Sequence, residues 1–220
     1  EMANVYIPKA LPLTEQPIEK KMLCLGSCGA AEDFFTMKGS LEAFAGANDL
    51  TFTYKRGNVP YLHPGRTADV YCQGQKIGHF GQLRYEIVDQ MNIAGGKKAD
   101  TKIFIAEIDY SLLAGLFKKG IKYIPESGFA GNARDISLLI GKEVECGSIV
   151  DAITACDEMI KKVTLFDLFE SEKLGADKKS MAFNIKLASN KKDVTDAMTD
   201  EVIAKVLNAL ETQFGAQMRA

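Results

Sequence analysis

The sequence predicts an α+β protein in which an antiparallel-sheet portion precedes a ferredoxin-like β-α-β-β-α-β module. Three observations predict it. Short segments of the first half alternate apolar and polar residues and are joined by short turns, the pattern of neighbouring antiparallel strands and not of a βαβ winding. Lys119-Gly120, Pro125, Gly128 and Gly131 then interrupt the pattern between residues 119 and 132, as a linker would. Beyond them the period switches between two and 3.6 in the order of the split βαβ fold. The expected boundaries are residues 1–122 and 123–220 of the 220-residue chain.

The first portion opens on Met2 to Ile7, an alternating segment with no approach or cap, which suggests a piece of a longer protein. Residues 32–46 place Phe34, Met37, Lys38, Leu41, Phe44 and Ala45 at helical spacing. Leu50 to Lys55 alternates cleanly and reads as a one-sided strand. Thr67 to Cys72 and Lys76 to Leu83 flank Gln73-Gly74-Gln75 as a hairpin, and Ile103 to Tyr110 is a further strand before a short helical pattern at Leu112, Leu113, Leu116 and Phe117.

In the second portion, Asp135 to Ile140 is a strand. Ser148 is expected to cap a helix with the stripe Ile149, Ala152, Ile153, Cys156 and Ile160. Val163 to Phe169 and Ser180 to Ala188 are two further strands, the latter with Met181, Phe183, Ile185 and Leu187 on one face. Thr199 is expected to cap a second helix, with Asp200 and Glu201 in its first turn and Gly215 at its end. Gln217-Met218-Arg219 supplies a fourth strand. In this topology both helices cover one sheet face, so Asn184 and Lys186 should look outward from the other, where a strand, ligand or RNA is received.

Composition narrows the function. A chain 46% hydrophobic and 25% charged is neither a disordered tail nor a disulfide scaffold. No apolar stretch approaches the ~20 residues of a membrane span, so no membrane partner is expected. Without a signal region or an Asn-x-Ser/Thr site, a cytoplasmic setting is expected. Residues 1–120 carry a net charge of +1 and residues 121–220 a net charge of −3, which excludes a strongly basic, autonomous nucleic-acid binder. No DNA partner is expected, and any RNA contact must be local or shared.

Catalytic signatures are missing. Gly74, Gly78 and Gly81 have the wrong spacing for a dinucleotide fingerprint, and neither a P-loop nor a G-x-S-x-G elbow occurs. His63 in Leu62-His63-Pro64-Gly65-Arg66 admits an acid–base role, but a His before Pro-Gly is better read as ordering a turn through the backbone. Arg66 suits a phosphate, a pairing with Asp69 or a neighbouring subunit, while His79 reads as a surface or interface residue. Cys24 and Cys28 resemble half a metal site, yet no matching pair follows. Cys24, Cys28, Cys72, Cys146 and Cys156 are therefore read as buried free thiols, and no metal is expected.

Several phrases together resemble the C-terminal part of the bacterial phenylalanyl-tRNA synthetase beta subunit. Asp33-Phe34-Phe35-Thr36-Met37-Lys38-Gly39 is similar to that family's DFFDLKG, and His63-Pro64-Gly65-Arg66-Thr67-Ala68 to its HPGRSA. Ile77-Gly78-His79-Phe80-Gly81-Gln82-Leu83 resembles IGxxGEL. Arg134-Asp135-Ile136, Leu165-Phe166-Asp167-Leu168-Phe169 and Lys178-Lys179-Ser180-Met181-Ala182 resemble RDI, LFDVY and KSLA of its anticodon-binding module, and Gly215 to Arg219 resembles that module's end. These seven phrases, in the family's order, span most of the chain.

The resemblance implies that residues 1–122 are the C-terminal half of a catalytic-like domain of class II synthetase fold that has lost its active site. It implies that residues 123–220 are the ferredoxin-fold anticodon-binding domain. It further implies an alpha-subunit partner that attaches phenylalanine to tRNA(Phe) using ATP and Mg2+, within a heterotetramer. This chain would bind no cofactor and be inactive alone. Phe34, Phe35, Lys38, His63 and Arg66 become subunit-interface or structural residues. Phe129, Arg134, Phe169, Lys178, Lys179, Ser180 and Arg219 become tRNA-binding candidates, the cations on phosphates and the aromatics either stacked on a base or in the core. The lysine pair is otherwise a solvated turn. The sequence departs from the family pattern at Ala133, Glu170, Asp196 and Ala197, where basic or hydroxyl groups are lost. A regulatory, ACT-like amino-acid-binding module has the same topology and is the alternative, with a hydrolase or transferase built on His63 more distant.

Overall fold

The computed structural model describes residues 1–92, 102–117 and 128–219. The chain divides into two compact units, Glu1–Lys122 and Tyr123–Ala220. Lys119, Gly120 and Pro125 of the expected linker lie outside the described residues. Among the described residues no helix is long and apolar enough to cross a membrane.

The first unit is a six-stranded antiparallel sheet built from β1 (Met2–Ile7), β2 (Ile18–Gly29), β3 (Phe52–Arg56), β4 (Leu62–Cys72), β5 (Gln75–Leu83) and β6 (Lys102–Asp109). Its order is β1-β2-β6-β5-β4-β3. Helix α1 (Phe34–Ala47) covers one face and buries Met37, Leu41 and Ala45 against Phe80, Phe104, Ala106 and Ile108. A reciprocal cap starts α1: the Asp33 carboxylate accepts from the Thr36 backbone N–H at 2.7 Å, and the Asp33 N–H donates to the Thr36 hydroxyl at 3.0 Å. The predicted hairpin is present, with Gln73 and Gly74 both at positive φ between Cys72 and its partner Gln75. The glycines that failed as a dinucleotide fingerprint have a structural task. A Cβ on Gly78 would stand 2.1 Å from the Glu107 carbonyl oxygen, and one on Gly81 would stand 2.4 Å from that of Arg66, so both let neighbouring strands close up.

Two elements have no counterpart among the sequence expectations. Strand β2 is twelve residues long but shows no clean alternation, because Met22, Leu23, Cys24 and Leu25 are all half-buried on both sides of the sheet. Helix α2 (Tyr85–Gln90) is too short for a stripe and buries only Val88. The short helical pattern after β6 is α3 (Tyr110–Ala114), capped by Asp109. Of the cysteines only Cys72 is buried, and Cys28 is exposed, which corrects the expectation of uniformly buried thiols. Cys28 sits one residue from the end of β2.

The second unit contains β7 (Asn132–Gly141), α4 (Cys146–Cys156), β8 (Ile160–Phe169), β9 (Lys178–Leu187), α5 (Asp196–Phe214) and β10 (Gln217–Met218). Its antiparallel sheet has the order β10-β7-β9-β8, the arrangement expected of the split βαβ fold. Ile136, Leu138 and Ile140 of β7 and Met181, Phe183, Ile185 and Leu187 of β9 meet Ile149 and Ile153 of α4 and Val202, Val206 and Leu210 of α5.

Both helix starts fall earlier than expected. Glu145, not Ser148, precedes α4, because Val144 already packs against the core and the chain turns straight into the helix, leaving Ser148 exposed within it. Thr195 caps α5 by accepting from the Met198 N–H at 3.3 Å. Thr199 lies one turn on, fully buried, with its hydroxyl donating to the Thr195 carbonyl at 3.0 Å. Asp196 is therefore the acidic residue of the first turn, and Gly215 ends the helix in the left-handed region.

Candidate nucleic-acid interface

The face of the second sheet away from α4 and α5 is built by cross-strand rows read from the register. From one end they run Lys162–Lys186–Ala133, Thr164–Asn184–Asp135, Asp167–Ala182–Ser137 and Phe169–Ser180–Leu139, with Gln217 beside Leu139. Side chains directly opposite each other share a face. Asn184 and Lys186 thus stand on the uncovered side, as the alternation of β9 predicts.

Phe169 is 46% exposed at the end of β8. The Arg219 backbone N–H donates to the Ser137 carbonyl at 2.8 Å, and this bond carries the guanidinium over the Phe169 ring, 5.7 Å from its centroid. That spacing is a cation–π contact. Phe129 is 43% exposed just before β7. Both aromatics are therefore outside the core. Ser180 is buried between the strands and faces the Ser137 hydroxyl at 3.5 Å. Lys178, opposite Gly141, is half-buried on the same side.

The remaining two candidates lie on the other side. Arg134 shares the parity of Ile136 and Ile185, and its guanidinium pairs with Asp200 of α5 at 2.6 Å. Lys179 donates to the Lys142 and Val144 carbonyls at 3.0 and 2.7 Å and so ties down the turn into α4. Among the positions that depart from the family pattern, Glu170 approaches Lys142 at 3.6 Å. Asp196 accepts from the Asn132 amide at 2.9 Å, and Ala133 and Ala197 are exposed.

The first-unit candidates are held within their own unit. Phe34 stacks on Phe80 with centroids 4.6 Å apart, and Phe35 meets Phe34 edge-on while remaining 72% exposed. Lys38 pairs with Glu42 at 2.7 Å and lies 5.0 Å from the Tyr54 ring centroid. The Gly65 N–H donates to Nδ1 of His63 at 3.1 Å, the backbone-ordering bond expected of a His before Pro-Gly. Arg66 donates to Gln82 at 2.7 Å and does not pair with Asp69, whose carboxylate meets Lys76 at 2.8 Å. Asp33, Phe35, Arg66, Gln82 and Lys102 border a cavity of about 410 Å³.

His79 is half-buried, its side chain 21% exposed. Its Nε2 is 2.6 Å from the Tyr61 hydroxyl and 3.2 Å from Glu107, and Tyr61 donates to Glu107 at 2.7 Å. Donation from His79 to Tyr61 and from Tyr61 to Glu107 satisfies the chain of groups with a neutral imidazole. Burial pushes the His79 pKa below its ordinary value, against an upward pull from Glu107. The phenol of Tyr61 is raised, first by burial and then by its bond to Glu107. Neither Tyr61 nor Glu107 carries a sequence signal: Glu107 meets His79 only through the register of β5 and β6, and Tyr61 arrives from the residue before β4.

A depressed histidine pKa gives stability a definite pH dependence. Above the unfolded value of about 6.5 both states are neutral; as pH falls below it, the unfolded chain gains a proton first. The urea midpoint of the first unit is therefore expected to fall as pH drops from about 7.5 towards the lowered folded pKa, and His79→Gln should flatten that slope. A wild-type midpoint that rises on acidification would contradict the assignment.

The comparisons with known proteins agree with this division. Residues 1–110 match the family described as phenylalanyl tRNA synthetase beta chain CLM domain, and residues 127–219 match the ferredoxin-fold anticodon binding domain. The latter match is to an anticodon module and not to an amino-acid-binding regulatory one. Similar proteins include the phenylalanine–tRNA ligase beta subunit of Carboxydothermus hydrogenoformans, 33% identical over 193 residues, covering 85% of this chain and 23% of the relative. That of Halalkalibacterium halodurans is 31% identical over 233 residues, and that of Bacillus cereus strain ZK is 32% identical over 231 residues. Each of these two matches covers all of this chain and 28% of the relative. The chain thus spans about a quarter of the length of the relatives it matches.

Proposed function

Since the chain belongs to the phenylalanyl-tRNA synthetase beta-chain family, we propose that it is a non-catalytic part of phenylalanine–tRNA ligase that assembles with the alpha subunit and holds the anticodon region of tRNA(Phe). In this reading the alpha subunit carries out the attachment of phenylalanine with ATP and Mg2+, and the beta chain supplies position. The observation that carries the RNA role is the Arg219–Phe169 pair on the uncovered sheet face. An exposed ring backed by a guanidinium offers an unpaired base a stacking platform, and Lys178 beside it offers a cation to the phosphate backbone.

The assembly role is supported by a different surface. All of β1 is exposed, and Met2, Val5, Tyr6, Ile7, Leu11, Leu13 and Ile18 form apolar surface along the β1–β2 arm. Apolar surface concentrated on one arm fits a protein partner.

Light scattering of the chain alone, and then mixed with an alpha subunit of this family, tests the assembly. A mass step equal to that of the added subunit is expected. Two unassociated species would refute the assembly role. Phenylalanylation of tRNA by this chain alone, supplied with ATP and Mg2+, would refute the non-catalytic one.

A further inference from the structure

At the opposite end of the same sheet face, Lys162 of β8 and Lys186 of β9 stand directly across from each other, both exposed. Like charges in directly opposed positions repel and destabilise a strand pair. Neither lysine makes an ion pair among the described residues. Ala133 fills the third place of the row, so no carboxylate separates or neutralises them. The nearest acidic group on the adjoining row, Asp135, accepts from the Asn184 amide at 2.7 Å.

The two lysines border a depression of about 480 Å³ floored by Gly131, Ala133 and Leu187, with Lys161 at its rim and no acidic side chain in its lining. A Cβ on Gly131 would come within 2.7 Å of the Leu187 carbonyl oxygen, which fixes the close approach that shapes this floor. Lys161 is bound to the Glu158 carbonyl, leaving Lys162 and Lys186 as the cations aimed over the depression. A unit with a net charge near −3 that concentrates two unneutralised lysines in one row gains only if an anion is received there.

We propose that the Lys162–Lys186 row is a phosphodiester-binding site for RNA, a second contact about 20 Å along the sheet from the Phe169–Arg219 platform. The inference rests on reading this face as an RNA surface, and it gives the surface two functions: stacking at one end and phosphate capture at the other. A strand of RNA laid along β9 engages both.

The test is a fluorescence-anisotropy titration of the whole chain with tRNA(Phe) between 50 and 200 mM KCl. Each single-strand phosphate contact contributes about 0.7 to the slope of log affinity against log salt. The double change Lys162→Gln with Lys186→Gln is expected to lower that slope by about 1.4, and affinity at 0.1 M salt by about 20-fold. The same two charges removed at Lys191 and Lys192, outside the row, should leave the slope within about 0.3 of wild type. Lys162→Glu, which converts the repulsion into a cross-strand ion pair, is expected to raise the unfolding midpoint by about 2–4 °C while weakening RNA binding. A slope unchanged in the double variant, or an equal loss in the control pair, overturns the site. If Phe169→Ala abolishes binding while the lysine variants are indifferent, the RNA reading stands and this inference alone falls. If the wild-type chain binds no RNA, both fall.

Discussion

Phe183→Ala is expected to destabilise the second unit by about 3–5 kcal/mol, the range for emptying a fully buried aromatic position. Phe183 sits in the middle of β9 with no exposed surface, between Ile136 on one side and Leu165 on the other, beneath the helices. Truncation to the β-carbon leaves a void that neighbours on three elements cannot all close. For a unit of this size the loss corresponds to a fall in midpoint of at least about 12 °C. The core of the first unit is formed by other residues, from Met37 to Leu113, so its transition is expected to stay in place. Calorimetry should therefore show the two transitions moving apart. A loss below about 1 kcal/mol, or a joint shift of both transitions, would contradict separate cores.

Phe169→Ala is expected to weaken tRNA(Phe) binding about 5- to 150-fold, corresponding to ~1–3 kcal/mol for one base stacked on an aromatic ring. The side chain is nearly half exposed at a strand end, so stability should change little while affinity falls. Arg219→Gln removes the guanidinium from the ring and is expected to cost less. Because the two groups touch, the double variant should lose less than the product of the separate losses. Filter binding to the assembled enzyme, with circular dichroism as the folding control, measures all three. An affinity within about twofold of wild type in Phe169→Ala would remove the stacking role.

Much of the site was legible from the alternation of β9. Period two alone places Asn184 and Lys186 on the face opposite Phe183, and the structure has them there. The same parity separates Lys178 from Lys179, and it assigns Arg134 to the side of Ile136. Parity puts Arg134 on the helix side, but only the packing of α5 on the sheet shows that it meets Asp200. The Lys162–Lys186 row was hidden for a related reason. Neither residue is unusual by itself, and their opposition exists only once β8 and β9 are paired with their irregularities in register, between Ile160 and Lys162 and between Leu165 and Asp167. The network of Tyr61, His79 and Glu107 likewise joins groups 18 and 46 positions apart.

Helix starts show the limit in miniature. Thr195 and Thr199 are one turn apart, and either hydroxyl can cap a helix by local chemistry. Burial decides between them. Thr199 is enclosed by the core and satisfies its hydroxyl on the Thr195 carbonyl, which leaves Thr195 at the solvent end to cap.

By itself the sequence determined the α+β class, the order of elements in the second unit, most of the core and the family, because these rest on periodicity and on ordered phrases within single segments. Only the tertiary structure decided which cations remain available on the open face, that Phe169 is presented by Arg219, and that His79 is half-buried beside Tyr61 and Glu107. Those properties depend on which strands become neighbours and in what register, and a pairing energy between distant segments leaves no mark on either segment read alone.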